Sequence, residues 1–211
     1  MAEPVPESPL EQTLRQAAAG DAGAWRRLVE AYTRRVFGLL LRQCGDRDLA
    51  EELTQATFVK VAATLGEGEG YEERGRFEAW LFRIALNGLR DEMRRRGRQA
   101  RVMDMSSGGL AGHGEAGESR EGLVLPDGGA EDPAEVMGRR EMVEQLRLAV
   151  AELSEPEQRV LHLRHTAGLS FAQIAETLGE PLGTVLARGH RALGKLRKKL
   201  ASADADVDVE P

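Results

Sequence analysis

The chain has 211 residues, room for one mid-sized domain or two small ones, and its 41% hydrophobic but only 4% aromatic composition favours helices over sheet. A formal net charge of -6 argues against nucleic-acid binding by the molecule as a whole, so any such role must rest on local cationic patches. Cys44, the single cysteine, excludes an internal disulfide framework, no run approaches the ~20 apolar residues of a membrane span, and the start, MAEPVPESPLEQ, is acidic rather than leader-like. A soluble, cytoplasmic protein without membrane insertion is expected.

Ser8-Pro9-Leu10-Glu11 is a capping box with proline at the first helical position, so a short helix should run to Gly20. Asp21 can cap a second helix, in which Trp25, Leu28, Val29, Tyr32, Val36, Leu39 and Leu40 recur at helical spacing before Gly45. Asp46 or Asp48 can cap a third, with Leu49, Leu53, Phe58, Val61 and Leu65 on its apolar side and Gly66 as its stop. The loop GEGEGYEERGR separates it from a fourth helix over about Phe77 to Arg96. These four make an N-terminal bundle over residues 1–101.

Residues 102–131 change character. They are rich in Gly, Ser and acids, cannot repay their ordering entropy by burial, and read as a flexible acidic linker. Asp132-Pro133-Ala134-Glu135 restarts a helix whose core stripe is Val136, Val143, Leu146, Val150 and Leu153. Ser154 opens the next helix, which Gly168 breaks, and Ser170-Phe171-Ala172-Gln173 opens a short one ending at Gly179. A turn containing Pro181 and Gly183 leads into a long basic helix to Leu200, completing a C-terminal unit over 132–200. Residues 201–211 read as an acidic disordered tail. The fold class is therefore all-α: a helical bundle and a second, smaller bundle joined by a linker.

Two segments carry chemistry. A short helix, a Gly-containing turn and a longer basic helix make a helix-turn-helix pattern. Projected at about 100° per residue, the last helix puts Val185, Gly189, Leu193, Leu196 and Leu200 on one face. Ala187, His190, Arg191, Gly194 and Lys198 point away, with Arg188 and Lys195 beside them, and no acid occurs from Arg188 to Lys199. An ordinary amphipathic helix with a solvated basic face reads similarly. In the fourth helix Arg83, Asn87, Arg90 and Arg94 form a polar stripe between two apolar sides. Arginines interrupted by one Asn suit phosphate contacts plus one hydrogen bond to a base, and Tyr71 upstream can stack on an unpaired base. A solvated arginine face with Tyr71 packed on the bundle is the equal alternative. His162 and His165 lie three apart without a further ligand nearby, so no metal site is assigned, and no cofactor is implied. No phosphate loop, nucleophile elbow or carboxylate pair marks an enzyme.

The runs DLAEELTQATFVKV and RFEAWLFRIALNGLRDEMRRR resemble the second conserved region of extracytoplasmic-function sigma factors, and ELSEPEQRVLHLRHTAGLSFAQIAETLGEPLGTVLARGHRAL resembles their fourth. Order and spacing agree with that family. The resemblance implies a non-enzymatic subunit that binds core RNA polymerase and directs it to promoter DNA, with an anti-sigma factor as a further partner. It implies that Glu52 and Gln55 contact the polymerase. It implies that Tyr71 and Asn87 capture a flipped base of the minus-ten element beside Arg83, Arg90 and Arg94. The last helix matches the reader of the minus-thirty-five element: it carries Thr184, Leu186, Ala187, Arg188, His190, Arg191 and Lys195, of which Leu186, Ala187, His190 and Arg191 match base-facing positions. The linker would run through the polymerase cleft. Ala56 stands where an acid is usual and Ala62 where an aromatic is common. Leu186 and Ala187 replace a basic-polar pair, and Gly189 an apolar residue. A free-standing helix-turn-helix regulator would explain the C-terminal half alone. An adaptor that keeps the fold without reading DNA would fit Leu186 and Ala187.

Overall fold

The computed structural model describes residues 8–66, 76–106 and 133–207. Among them are eight helices and no strand: α1 (Pro9–Ala18), α2 (Ala22–Cys44), α3 (Arg47–Gly66), α4 (Phe77–Ser106), α5 (Pro133–Ala151), α6 (Glu155–His165), α7 (Phe171–Leu178) and α8 (Leu182–Val207).

Local chemistry sets most boundaries. The Ser8 hydroxyl accepts from the Glu11 amide while the Glu11 carboxylate accepts from the Ser8 amide, and Ser170 and Gln173 do the same for α7. Asp21 caps α2, and Asp46 rather than Asp48 caps α3 through the Leu49 amide. Gly45 and Gly179 close α2 and α7 in the left-handed conformation. Two helices run further than their sequence suggests. α4 continues ten residues past Arg96 to Ser106, on a segment of good helix formers such as Arg98, Gln99, Ala100 and Met103. α8 continues past Leu200 to Val207, through Ala201, Ala203 and Ala205.

The N-terminal helices pack as a bundle in which α4 is covered twice. Phe77, Leu81, Phe82, Ala85, Leu86 and Leu89 of α4 are all buried, against α2 and α3 on one side and α7 on the other. Met93, one turn beyond Leu89, is exposed. One core therefore runs through both halves: Val36, Leu39, Leu81 and Phe82 belong to the same cluster as Val160, Leu163, Ile174 and Val185. A smaller cluster of Ala149, Leu153, Leu161, Ala192 and Leu196 lies between α5, α6 and α8. α5 is covered on one side only, so Leu146, expected inside, is exposed, and Ala149 is buried instead.

A polar network closes the seam between the halves. The Arg35 guanidinium on α2 donates to the Ala167 carbonyl through Nε (2.8 Å) and Nη2, and to Glu78 Oε1 on α4 at 2.7 Å. It lies over the Tyr32 and Phe82 rings, 5.0 and 5.5 Å from their centroids. Gly168, at φ +73°, makes the turn that aims this carbonyl at Arg35, which a side chain there would disfavour. Glu78 Oε2 accepts from Gln173 Nε2, and Thr177 donates to the Ala79 carbonyl. Gln43 Nε2 lies 3.1 Å from His162 Nδ1.

Candidate nucleic-acid interfaces

On α4 the stripe Arg83, Asn87, Arg90 and Arg94 is exposed along its whole length. The spacing that buries Leu81, Ala85 and Leu89 turns these four residues to the opposite side. Arg90 Nη1 donates to Asn87 Oδ1 at 3.4 Å, which leaves the amide nitrogen of Asn87 to donate elsewhere. Arg95 and Arg96, just beyond, are paired with Glu92, and Arg96 also with Asp46 at 3.0 Å. The polybasic run is thus partly neutralised while the stripe before it keeps its reach to solvent. A groove of about 570 Å³ opens beside the stripe, with Arg42, Arg90, Arg94 and Arg159 around Leu86 and Leu89. Tyr71 lies outside the described residues.

On α3, Glu52 and Gln55 are exposed on the side opposite the buried Leu53, Thr54 and Phe58. Ala56, Val59 and Ala62 share that outer side, and Val59 is 70% exposed. The result is a small, shallow, partly apolar surface with polar groups at one end. Val59 carries no signal in the sequence beyond standing off the apolar period.

On α8 the inner face is Val185, Gly189, Ala192 and Leu196, all buried. Leu193, expected there, is exposed because it sits a quarter-turn away from the axis of that face, and Ala192 takes its place. Gly189 passes so close to Phe171 that a Cβ would meet the ring at 2.9 Å. Thr184, Ala187, His190 and Arg191 are exposed, and Leu186 is half-buried. Arg188 and Lys195 lie on one flank, where each meets an acid of its own half. Arg188 pairs with Glu180 in the turn before α8. Lys195 Nζ donates to Glu157 Oε2 at 2.8 Å. The Glu157 carboxylate is also held by the amide (3.1 Å) and hydroxyl (2.8 Å) of Ser154. Lys195 and Ser154 together hold its pKa down at about 2, so it is an anion throughout the physiological range. Glu157 and Glu180, the partners of Lys195 and Arg188, are the part of this face that no motif announces.

His162 is half-buried beneath Gln43, and burial, reinforced by the Arg42 charge, pushes its pKa down to about 4. It is a neutral seam residue, and His165 is exposed. Among the described residues no cluster of His, Cys, Asp and Glu is arranged to hold a metal ion, and no helix is long and apolar enough to cross a membrane.

Residues 28–99 match sigma-70 region 2 and residues 149–198 match sigma-70 region 4. The RNA polymerase sigma-H factor of Pseudomonas aeruginosa is 31% identical over 191 residues, covering 90% of this chain and 93% of the relative. The chain belongs to the extracytoplasmic-function sigma-70 family. The sigma factor SigE of Mycolicibacterium smegmatis is 33% identical over 193 residues, covering 90% of this chain and 68% of its own. Among solved structures, CnrH in complex with the cytosolic domain of CnrY superposes with TM-score 0.55 at 22% identity, covering 93% of this chain and 97% of that one. RpoE of Bartonella quintana, in complex with the anti-sigma factor NepR, gives 0.57 at 22% identity, with coverage of 83% and 96%. These two share the fold. As a sigma factor the chain has a role in transcription initiation. The α4 stripe falls within region 2 and the exposed face of α8 within region 4.

Proposed function

We propose that this sigma factor binds core RNA polymerase through the outer face of α3, recognises and opens the minus-ten element with α4, and reads the minus-thirty-five element with α8. The observation that carries the reading is the α4 stripe, where Asn87 stands exposed among Arg83, Arg90 and Arg94. Guanidinium groups hold phosphates without regard to sequence, and a short amide between them can hydrogen-bond a base edge. Capture of an unpaired base on such a surface, with Tyr71 supplying a stacking face, offsets the cost of unstacking it. On α8 the exposed set Thr184, Ala187, His190 and Arg191 supports entry into a major groove, because Ala187 adds little bulk where the helix must approach closely. Glu52 and Gln55 supply the polar contacts to polymerase and Val59 an apolar one. The site of action is the cytoplasm. An anti-sigma factor is a further partner, by analogy with the complex of the fold neighbour from Bartonella quintana.

The test separates opening from docking. In reconstituted holoenzyme, Asn87→Ala and Tyr71→Ala should leave closed-complex binding nearly intact and reduce permanganate-detected strand opening. A pre-melted bubble template should restore activity to the Asn87 variant. Arg191→Ala should weaken binding to duplex promoter by roughly 1–3 kcal/mol if it makes a bidentate base contact. If Asn87→Ala opens promoters as well as the parent protein, the base-capture role is wrong.

A further inference from the structure

Two cations of α8, Arg191 and Lys195, converge one helical turn apart on a single carboxylate that belongs to another helix. The side chain of Glu157 is 5% exposed, whereas those of Lys195 and Arg191 are 54% and 63% exposed. Glu157 cannot follow its partners outward. It sits in the first turn of α6, where the helix dipole favours an anion, and the Ser154 amide and hydroxyl hold one oxygen in place. That same oxygen accepts from Lys195 Nζ at 2.8 Å. The other lies 4.0 Å from Arg191 Nε, too far for a hydrogen bond, so the exposed guanidinium keeps its donors for another partner. Withdrawing Lys195 to a phosphate would take from this held carboxylate its only cationic hydrogen-bond donor among these contacts, at the cost of a charge-assisted bond.

We propose that Glu157 is a positioning residue of the promoter reader: it retains the Lys195 ammonium on the protein and leaves Arg191 to DNA, so that α8 offers fewer indiscriminate phosphate contacts than its sequence suggests. The inference rests on the reading of α8 as a duplex-binding helix. Each cation that neutralises a phosphate adds sequence-independent affinity and steepens the dependence of log K on log salt by about 0.9. Sequestering one cation therefore lowers binding to any DNA, promoter or not, and leaves the base-specific part as it is.

The experiment is salt-dependent binding of reconstituted holoenzyme, carrying the full chain, to duplex promoter and to the same duplex with a scrambled minus-thirty-five element. Glu157→Gln should steepen the salt slope by about 0.9 on both duplexes and tighten binding to both by a similar factor at low salt, leaving the promoter-to-scrambled ratio nearly unchanged, as one freed sequence-independent phosphate contact requires. The double variant Glu157→Gln/Lys195→Met should lose the added slope, which a general loosening of α6 would not explain. Lys195→Met alone should leave the slope at the parent value, and it carries the test if Glu157→Gln fails to fold. A slope shallower by about 0.9 in Lys195→Met, or an unchanged slope in a folded Glu157→Gln protein, overturns the inference. If Arg191→Ala weakens docking in the same series, the reading of α8 survives that outcome. If Arg191→Ala has no effect either, that reading falls and the inference with it.

Discussion

Gly189 has room for a hydrogen atom and nothing larger. A methyl there gains about 1 kcal/mol of helix propensity but forces the Phe171 ring to move, and overpacking of this kind typically costs about 1–3 kcal/mol. Gly189→Ala should therefore destabilise the protein by about 1 kcal/mol in urea unfolding, and Phe171→Leu in the same chain should remove most of that penalty. The glycine was visible in the sequence as an oddity, but its cause was not, because Phe171 belongs to another helix. The same holds for Lys195: the sequence showed a cation-rich helix without acids, and the acid that holds Lys195 lies 38 residues away. His162 makes a pH-dependent contribution of definite sign. Its pKa of about 4 lies below the ordinary 6.5, so the unfolded chain binds more protons between those values and stability falls as pH drops through that window. Unfolding free energy should be lower at pH 5 than at pH 7 by roughly 1–2 kcal/mol from this group, and His162→Gln should remove that part of the slope.

Helix boundaries follow the capping chemistry closely where a Ser or Asp opens the helix and a glycine closes it. α7 depends on this most, since eight residues make too few internal bonds to hold a helix unaided. Ser170→Ala should cost about 1 kcal/mol, measured by urea unfolding, and Ser170→Thr much less. Gln173 completes the box with its carbonyl and reaches Glu78 with its amide nitrogen, so one residue caps α7 and ties it to α4. Where no cap or breaker intervenes, periodicity fades before the helix does: α4 and α8 both outrun their apolar stripes on solvent-tolerant helix formers. The stripe on α4 was legible for the opposite reason. Its polar positions are defined by what the buried Leu81, Ala85 and Leu89 leave over, so local spacing alone located Arg83, Asn87, Arg90 and Arg94 on one exposed side.

Across the whole molecule, the union of the halves was the least legible property. Local patterning divides the chain into two bundles, yet their cores merge, and the contact that fastens them joins Arg35 to a carbonyl 132 residues away. No periodicity reports on such a pair. Arg35→Ala removes charge-assisted bonds to the Ala167 carbonyl and Glu78 and should destabilise the chain by roughly 2 kcal/mol. Hydrogen exchange should quicken selectively at the Ala167–Leu169 turn, whereas a uniform change across all eight helices would place the effect elsewhere.

The length of chain between the two sides of this seam also sets a clock during synthesis. Glu78 meets Gln173, which leaves the ribosome 95 residues later, an interval of roughly 5 to 20 seconds at about 5–20 residues per second. Throughout it, the face of α4 that α7 will cover has no partner from its own chain. A nascent chain is thus at its stickiest between the birth of α4 and that of α7, and slow translation of the intervening message would prolong that exposure.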